Sequence, residues 1–241
     1  MTARESLSHS SSSPSDQYRT ETREAYRNRQ RAEAYDRQLL GSLSWARFTM
    51  WREIGLVASF IKGRVGDRKP LVIDLPCGTG VAARIFRERG YPVIAGDISA
   101  EMMEVGAHRY GDALRGMVQM DITRTPFSSG AFEAAVVLGF LHRIPADLKT
   151  QVMKEIGRIS TEFVVVSVSV DGWGQRLKRR IVRLLKPGHA FAPGPEAWGT
   201  IRDMFEDAGF EILGVKSVMP VLSAEKIVLL ASAGDSRGSR D

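Results

Sequence analysis

The chain has little cysteine and no long apolar run, and each shortage excludes a class of protein. Its 241 residues include one cysteine, Cys77. An intramolecular disulfide is therefore excluded, which is typical of proteins in a reducing compartment. No run of about 18 consecutive apolar residues occurs, so no membrane-spanning helix is predicted. Residues 1–16 are polar and serine-rich, so we expect no signal peptide there and a cytoplasmic protein.

The amino-acid composition is consistent with one large domain flanked by terminal segments. A hydrophobic content of 43% is enough for a core of about 150–170 residues. Polar, serine-containing segments at residues 1–16 and 233–241 are predicted to be disordered tails. We expect a helical region over residues 17–66 and the main domain over residues 67–232, with a basic insertion at 171–195.

The most informative segment reads Leu-Val-Ile-Asp-Leu-Pro-Cys-Gly-Thr-Gly, from Leu71 to Gly80. An apolar β-type run ends on Asp74, a glycine turn follows at Gly78 and Gly80, and a helical pattern continues to Gly90. Such a turn presents backbone N–H groups to a nucleoside-bearing cofactor. The carboxylate would repel a pyrophosphate and attract a cofactor that carries an ammonium and a sulfonium. The segment therefore favours S-adenosylmethionine over a dinucleotide.

Three more segments combine an apolar strand with a polar residue near its end. Asp97 follows about 20 residues after the glycine turn, where an acid can accept hydrogen bonds from ribose hydroxyls. Asp121 follows the next strand, and a fourth strand beginning at Phe132 opens into a loop that carries His142. Strands that alternate with helical patterns in this way predict a parallel, doubly wound sheet.

The Asp-Leu-Pro-Cys-Gly-Thr-Gly segment resembles the cofactor loop of the class I S-adenosylmethionine-dependent methyltransferases. It looks closest to the small-molecule group that includes the ubiquinone and menaquinone enzymes, and the resemblance covers roughly residues 71–230. It implies an α/β, Rossmann-like sheet of seven strands in the order 3-2-1-4-5-7-6, with the last strand antiparallel. It also implies an N-terminal helical lid over the cofactor. For the helix near residues 45–61, packing against the sheet is the alternative.

The resemblance further implies which residues bind S-adenosylmethionine. Asp97 would bind the ribose, Ile98 would contact the adenine face, and Asp121 with the Ile122 N–H would bind the adenine edge. Cys77 is expected to be structural, without a nucleophilic role, and no metal site is predicted. The complete predicted cofactor set is Asp74, Cys77, Gly78, Thr79, Gly80, Asp97, Ile98, Met102, Asp121, Ile122 and Leu138.

His142 is the candidate catalytic residue. It matches the first position of a His-His or His-hydrophobe-Pro sequence that many family members carry after the fourth strand, and Arg143 replaces the frequent second histidine. A packing or capping histidine is the alternative. Tyr35 lies in an Ala-Glu-Ala-Tyr-Asp sequence that resembles the lid region of the family, so it is a candidate contact for cofactor or substrate.

The segment from Gln175 to Lys186 concentrates positive charge, with six basic residues and no acid. Its apolar residues share one helical face, so it predicts a basic amphipathic helix beside the expected substrate mouth. Arg179 and Arg180 are candidate contacts for an anionic acceptor. His189, in the next loop, is a candidate lining residue of the acceptor pocket and the reserve candidate for a general base. The helix also predicts peripheral contact with an anionic membrane at its inner face. A solvated helix packed on the core is the alternative.

Together these features predict in-line methyl transfer to a small-molecule, lipid-linked or glycan acceptor, with oxygen as the expected acceptor atom. A general base is needed where that acceptor is a hydroxyl. Motifs for base amino methylation, cytosine C5 methylation and magnesium-dependent catechol methylation are missing, and nucleic acid is a weak option through the basic helix. Two other classes stay open: a methyltransferase-like binding protein without catalysis, and a nicotinamide-dependent oxidoreductase, because Gly78, Gly80 and Ala83 fit a dinucleotide fingerprint. The acceptor and the oligomeric state are not predicted.

Overall fold

The structure, a computed structural model, describes residues 29–40, 45–172, 195–220 and 223–232. Two helices precede the sheet, and strands then alternate with helices. In chain order the elements are α1 (Arg29–Leu40), α2 (Trp45–Val65), β1 (Val72–Asp74), α3 (Ala83–Arg89), β2 (Val93–Asp97), α4 (Ala100–Gly106), β3 (Leu114–Gln119), β4 (Phe132–Val137), α5 (Ala146–Ile159), β5 (Ser160–Ser169), α6 (Trp198–Asp207), β6 (Phe210–Ser217) and β7 (Glu225–Ser232).

One sheet of seven strands runs in the order β3-β2-β1-β4-β5-β7-β6. The strands from β3 to β5 pair in parallel, whereas β7 is antiparallel to both β5 and β6. This confirms the predicted order and the antiparallel last strand. The sheet centre is covered on both sides, which explains why β5 is a continuous run of buried valines at 164–166 rather than an alternating pattern.

Helices cover both faces of the sheet. On one face Val57 and Ile61 of α2 pack in the same core cluster as Val72 of β1. On the other face Ile156 of α5 packs in the cluster that contains Ile73. Neighbouring residues of β1 therefore belong to opposite layers, as the pleat requires. For α2, the structure supports packing against the sheet over the lid alternative.

The turn that ends α3 places the glycine segment against the sheet. Gly90 adopts a left-handed conformation with φ of 65°, and its N–H donates to the Phe86 carbonyl. This is the terminating geometry that glycine favours, and it confirms the predicted end of this helix. The chain then returns directly into β2, so that the ends of β1 and β2 lie side by side.

Several predictions concern segments beyond the described residues. These segments include both predicted tails, residues 17–28 and most of the basic insertion, with Arg179, Arg180 and His189. Within the described ranges, no helix is both long and apolar enough to cross a bilayer.

Candidate cofactor and acceptor site

A cavity of about 250 Å³ opens at the carboxyl ends of the central strands. We call it the main cavity. Its walls come from the glycine turn, the start of α4, the loop after β4 and helix α1. The predicted residues that line it are Asp74, Cys77, Gly78, Thr79, Asp97, Ile98, Met102, Leu138 and Tyr35.

A smaller cavity of about 50 Å³ adjoins the main cavity. Both cavities share Pro76, Ile98 and Phe140 as lining residues. The smaller one is lined mostly by apolar side chains and also contains the predicted pair Asp121 and Ile122. An apolar slot with a carboxylate at its edge suits a flat ring that carries an amino group.

The glycine turn needs glycine for two different reasons. Gly78 and Gly80 have φ values of 52° and 73°, a region that side chains disfavour. A Cβ at Gly80 would also lie 3.0 Å from the Gly106 carbonyl oxygen, and a Cβ at Gly106 would lie 2.3 Å from the Thr79 carbonyl carbon. Gly80 lines neither cavity, so its contribution to cofactor binding is packing of the turn on α4. Sequence reasoning did not identify Gly106.

Thr79 carries an unsatisfied hydroxyl in the cavity wall. The residue is fully buried. Its Oγ1 makes no hydrogen bond of good geometry with the described residues, although it lies near enough to the Asp36 carboxylate to lower the pKa of that group. Leaving a buried hydroxyl unpaired costs about 1–3 kcal/mol, so such a group points to a missing partner.

Two buried carboxyls stand behind the glycine turn. Burial raises the pKa of Asp74 to about 7, and the charge of Asp97 also acts to raise it. A hydrogen bond from the Tyr110 hydroxyl acts in the opposite direction. The Tyr110 oxygen lies 2.7 Å from Asp74 Oδ2. Burial also raises the pKa of Asp97, although this carboxylate accepts N–H bonds from Gly78 at 2.8 Å and Ser99 at 3.0 Å. A cation in the main cavity would therefore favour full ionisation of the pair.

Cys77 is the buried thiol of the same turn. Burial, with the charges of Asp74 and Asp97, raises its pKa well above the ordinary value. The thiol is therefore protonated and a poor nucleophile at neutral pH. This environment supports the structural role that the sequence suggested.

His142 lies outside the main cavity. It is part of a short 3-10 turn, Leu141–Arg143, and lines a separate small cavity together with Lys149 and Glu196. Burial, with the positive charges of Arg143 and Lys149, lowers its pKa to about 4, so the ring is neutral at pH 7. Among the described residues its Nδ1 has no hydrogen-bond partner. Its catalytic role stays a prediction.

Arg143, which sequence reasoning treated only as a departure from the family pattern, lines the main cavity. Its guanidinium lies 5.6 Å from the ring centroid of Tyr35, and Nη2 donates to the Tyr35 hydroxyl at 3.3 Å. Tyr35 belongs to α1, so this contact joins the N-terminal helix to the loop after β4. The sequence signal was its position directly after the predicted histidine.

Two half-buried carboxyls, Glu53 of α2 and Glu225 of β7, stand near Arg143. Burial raises the pKa of Glu53, against a hydrogen bond from Ser167 and the charge of Arg143. Burial and the charge of Glu53 raise the pKa of Glu225 to about 7. Ser167 Oγ also accepts the N–H of Gly139 at 2.7 Å, and Gly139 lines the main cavity. Ser167 therefore connects the acid pair Glu53 and Glu225, through Glu53, to Gly139 in the wall of the main cavity. No sequence motif indicated this pair.

Comparison with known proteins identifies the domain that carries these cavities. Residues 72–162 match the family model described as a methyltransferase domain. The demethylmenaquinone methyltransferase of Thermobifida fusca (strain YX) is 30% identical over 148 residues, which cover 56% of this chain and 61% of that protein. Residues 72–162 thus carry a methyltransferase domain, and the comparisons support the predicted resemblance to the class I S-adenosylmethionine-dependent methyltransferases. The chain spans 61% of the length of that relative, and the matched part of the Paenarthrobacter aurescens (strain TC1) demethylmenaquinone methyltransferase is 35% of that protein, at 33% identity.

Solved methyltransferase structures share the fold. Magnesium protoporphyrin IX methyltransferase from Synechocystis PCC 6803 superposes with a TM-score of 0.74 at 16% identity, covering 89% of this chain and 99% of that one. The 1,6-didemethyltoxoflavin-N1-methyltransferase of Burkholderia thailandensis gives a TM-score of 0.63 at 17% identity, covering 96% and 92%. At such low identity these likenesses show the architecture alone.

The residues of this site fit S-adenosylmethionine, the cofactor that the resemblance implies. The Thr79 hydroxyl, which has no hydrogen-bond partner of good geometry among the described residues, would be available to a bound cofactor. The carboxyls of Asp74 and Asp97 match its positive charges and its ribose, and the apolar slot beside Ile98 suits its adenine. The comparisons support the predicted family and its cofactor, whereas the individual contacts stay predictions.

Proposed function

We propose that this methyltransferase transfers the methyl group of S-adenosylmethionine to an oxygen atom of a small apolar or lipid-linked ring compound. One observation carries the proposal: cofactor-type residues form one wall of the main cavity, and apolar and aromatic residues with a guanidinium form another. The second wall consists of Leu138, Phe140, Tyr35 and Arg143. A glycan acceptor is disfavoured because this wall offers few hydrogen-bonding groups.

The acceptor wall supports a flat molecule with a negatively polarised oxygen. Aromatic and apolar side chains contact the face of a ring, and a guanidinium binds an anionic oxygen by charge-assisted hydrogen bonds. The relatives and structural neighbours are named for demethylmenaquinone, magnesium protoporphyrin IX and 1,6-didemethyltoxoflavin, which are ring compounds. A ring acceptor is consistent with these names.

The protein's task in such a transfer is positioning, because bound S-adenosylmethionine supplies an already activated methyl group. The chain has to hold the acceptor in line, exclude water and accept a proton where the acceptor is a hydroxyl. Tyr35 and Arg143 would orient the acceptor. His142 is neutral at pH 7 but lines a separate cavity, so a role as base would require the Leu141–Arg143 turn to bring its ring to the acceptor.

We further propose that the basic segment recruits the acceptor, either directly or at an anionic membrane surface. Its support is the sequence alone, since Arg179, Arg180 and His189 lie outside the described residues. Replacement of Arg179, Arg180 and Arg183 by glutamine should raise the acceptor KM, most at low salt, because each charge near an anionic bilayer contributes about 1 kcal/mol. Cofactor affinity should not change. An unchanged KM and unchanged vesicle binding would contradict this role.

The function is tested by supplying S-adenosylmethionine with an isotopic methyl group and a panel of hydroxylated ring acceptors, including reduced demethylmenaquinone. Mass spectrometry then locates the label. We expect O-methylation of a ring acceptor and loss of product in Asp97→Ala. Label on carbon or nitrogen would contradict the proposed oxygen acceptor. Binding of cofactor without turnover on any acceptor in the panel or in cell extract would favour a non-catalytic role.

A further inference from the structure

A bidentate ion pair and one further hydrogen bond, all from Arg109, connect helix α1 to the glycine turn. Arg109, in the 3-10 turn after α4, donates from Nη1 to Asp36 Oδ1 at 2.6 Å and from Nη2 to Asp36 Oδ2 at 2.7 Å. Arg109 Nη1 also donates to the Thr79 carbonyl oxygen. One guanidinium thus joins the N-terminal helix to the turn that forms the floor of the main cavity.

The pair is better shielded than the other ion pairs of α1. The side chains of Arg109 and Asp36 are 21% and 17% exposed. Arg29 and Glu104 form a further contact between α1 and α4 at 3.8 Å, with exposures of 69% and 65%. Bidentate geometry and partial burial strengthen an ion pair, whereas a long and exposed one contributes little.

The environment of Asp36 favours its ionised form, which is the form that pairs with Arg109. Burial by itself would raise the pKa of Asp36, yet the hydrogen bonds and charge of Arg109, together with the nearby Thr79 hydroxyl and the charge of His108, outweigh it, and the pKa lies below its ordinary value. Asp36 is therefore ionised at neutral pH. It carries the negative charge that the Arg109 guanidinium binds.

Burial of the described apolar side chains contributes little to the attachment of α1. Among the described side chains of α1, which are those of residues 29–37, Ala32 is the buried one. Tyr35, directly before Asp36, lines the main cavity. Movement of α1 away from the turn would therefore remove one wall of that cavity.

We propose that Asp36 and Arg109 are positioning residues that hold α1 over the bound cofactor and so determine how long it is retained. The inference rests on the assignment of the main cavity to S-adenosylmethionine. Loss of the pair would leave the glycine turn and Asp97 in place but allow α1 to swing out. Dissociation of the cofactor or its product would then be faster.

The test uses S-adenosylhomocysteine as the probe, with Kd from calorimetry and the dissociation rate from surface plasmon resonance. Asp36→Asn and Arg109→Met should each weaken binding by about 10- to 100-fold, the range for losing charge-assisted hydrogen bonds, mainly through faster dissociation. Because the residues act as one unit, the double variant should bind no more weakly than Arg109→Met. Arg37→Met, an exposed arginine on the same helix, is the matched control and should match the parent.

Hydrogen exchange gives a second readout. The amides of α1 should gain protection on ligand binding in the parent and lose that gain in Asp36→Asn. Unchanged Kd and dissociation rate in both variants, or effects that simply add in the double variant, would overturn the proposal. So would a lower melting temperature with unchanged binding, since that would make the pair merely structural. A parent that does not bind the probe would instead contradict the cofactor site itself.

Discussion

The two halves of the sheet build their parts of the candidate site in different ways. In the half that contains β1, β2 and β3, the side chains of the site come from short stretches of chain directly after the strands. In the half that contains β5 and β7, polar groups from distant parts of the chain converge, as Glu53, Ser167 and Glu225 do near Arg143. The predicted cofactor residues are thus encoded locally, whereas the proposed acceptor end depends on tertiary packing.

The largest expected effect would come from the acceptor side. If the acceptor is a hydroxyl and His142 is its base, His142→Ala should lower turnover by about 10²–10⁴-fold, the usual contribution of general base catalysis. Affinity for S-adenosylhomocysteine should be unchanged because His142 lies outside the main cavity. Steady-state kinetics and calorimetry check the two parts. A loss of turnover below about tenfold would indicate that His142 is a packing residue. Weaker binding of S-adenosylhomocysteine would contradict the separation of the cofactor residues from the acceptor residues.

On the cofactor side, Asp97→Ala should weaken S-adenosylmethionine binding by about 1.5–3 kcal/mol, the range for hydrogen bonds to a charged group. The variant also removes the acceptor of the Gly78 and Ser99 N–H groups. Asp112→Ala, which removes an exposed acid from the 3-10 turn before β3, is the control and should bind normally. Equal affinities in the two variants, measured by calorimetry, would contradict the assigned cofactor wall.

Tyr110→Phe tests a residue that supports Asp74 from behind and does not itself line the main cavity. The hydroxyl donates to the buried Asp74 carboxyl, and its loss should lower the free energy of unfolding by about 1–3 kcal/mol. It should also raise the pKa of Asp74 further, because the hydrogen bond opposes the effect of burial. Chemical denaturation at pH 8 measures the first effect. An unchanged midpoint would show that the hydrogen bond contributes nothing to stability.

The smallest effect concerns pH. In the free protein the pKa of Asp74 is raised to about 7. A cationic cofactor favours its ionised form, so S-adenosylmethionine should bind with proton release and up to about tenfold more weakly for each pH unit below 7. The same group makes the free protein less stable as pH rises from about 4 to about 7, since the folded state holds the proton more tightly. Calorimetry in buffers of different ionisation enthalpy measures the proton release. A pH-independent affinity, or a profile that Asp74→Asn does not flatten, would contradict this account.

The local encoding of the cofactor half explains why it could be predicted. Hydrophobic strands, terminal acids and glycines within a few residues of one another identified the turn at Gly78 and the acid Asp97, and the family resemblance that they carry implied the strand order. Most predicted cofactor residues line the main cavity for this reason. Asp121 and Ile122 line the adjoining one.

The features that escaped prediction depend on contacts between distant residues. Gly106 is required because α4 lies against the Thr79 carbonyl, and Asp36 matters because Arg109 reaches it from another element. No periodicity or motif links such positions. His142 was selected by motif, and the packing of the Leu141–Arg143 turn directs it to a different cavity.

The central claim is that the main cavity binds S-adenosylmethionine, and competitive calorimetry tests it most directly. The purified protein is titrated with S-adenosylmethionine, S-adenosylhomocysteine and NAD, and then with each methyltransferase ligand in the presence of the other. We expect one site at which the two methyltransferase ligands compete, no heat from NAD, and a marked loss of affinity in Asp97→Ala. Binding of NAD, or S-adenosylmethionine binding that Asp97→Ala leaves intact, would contradict the account.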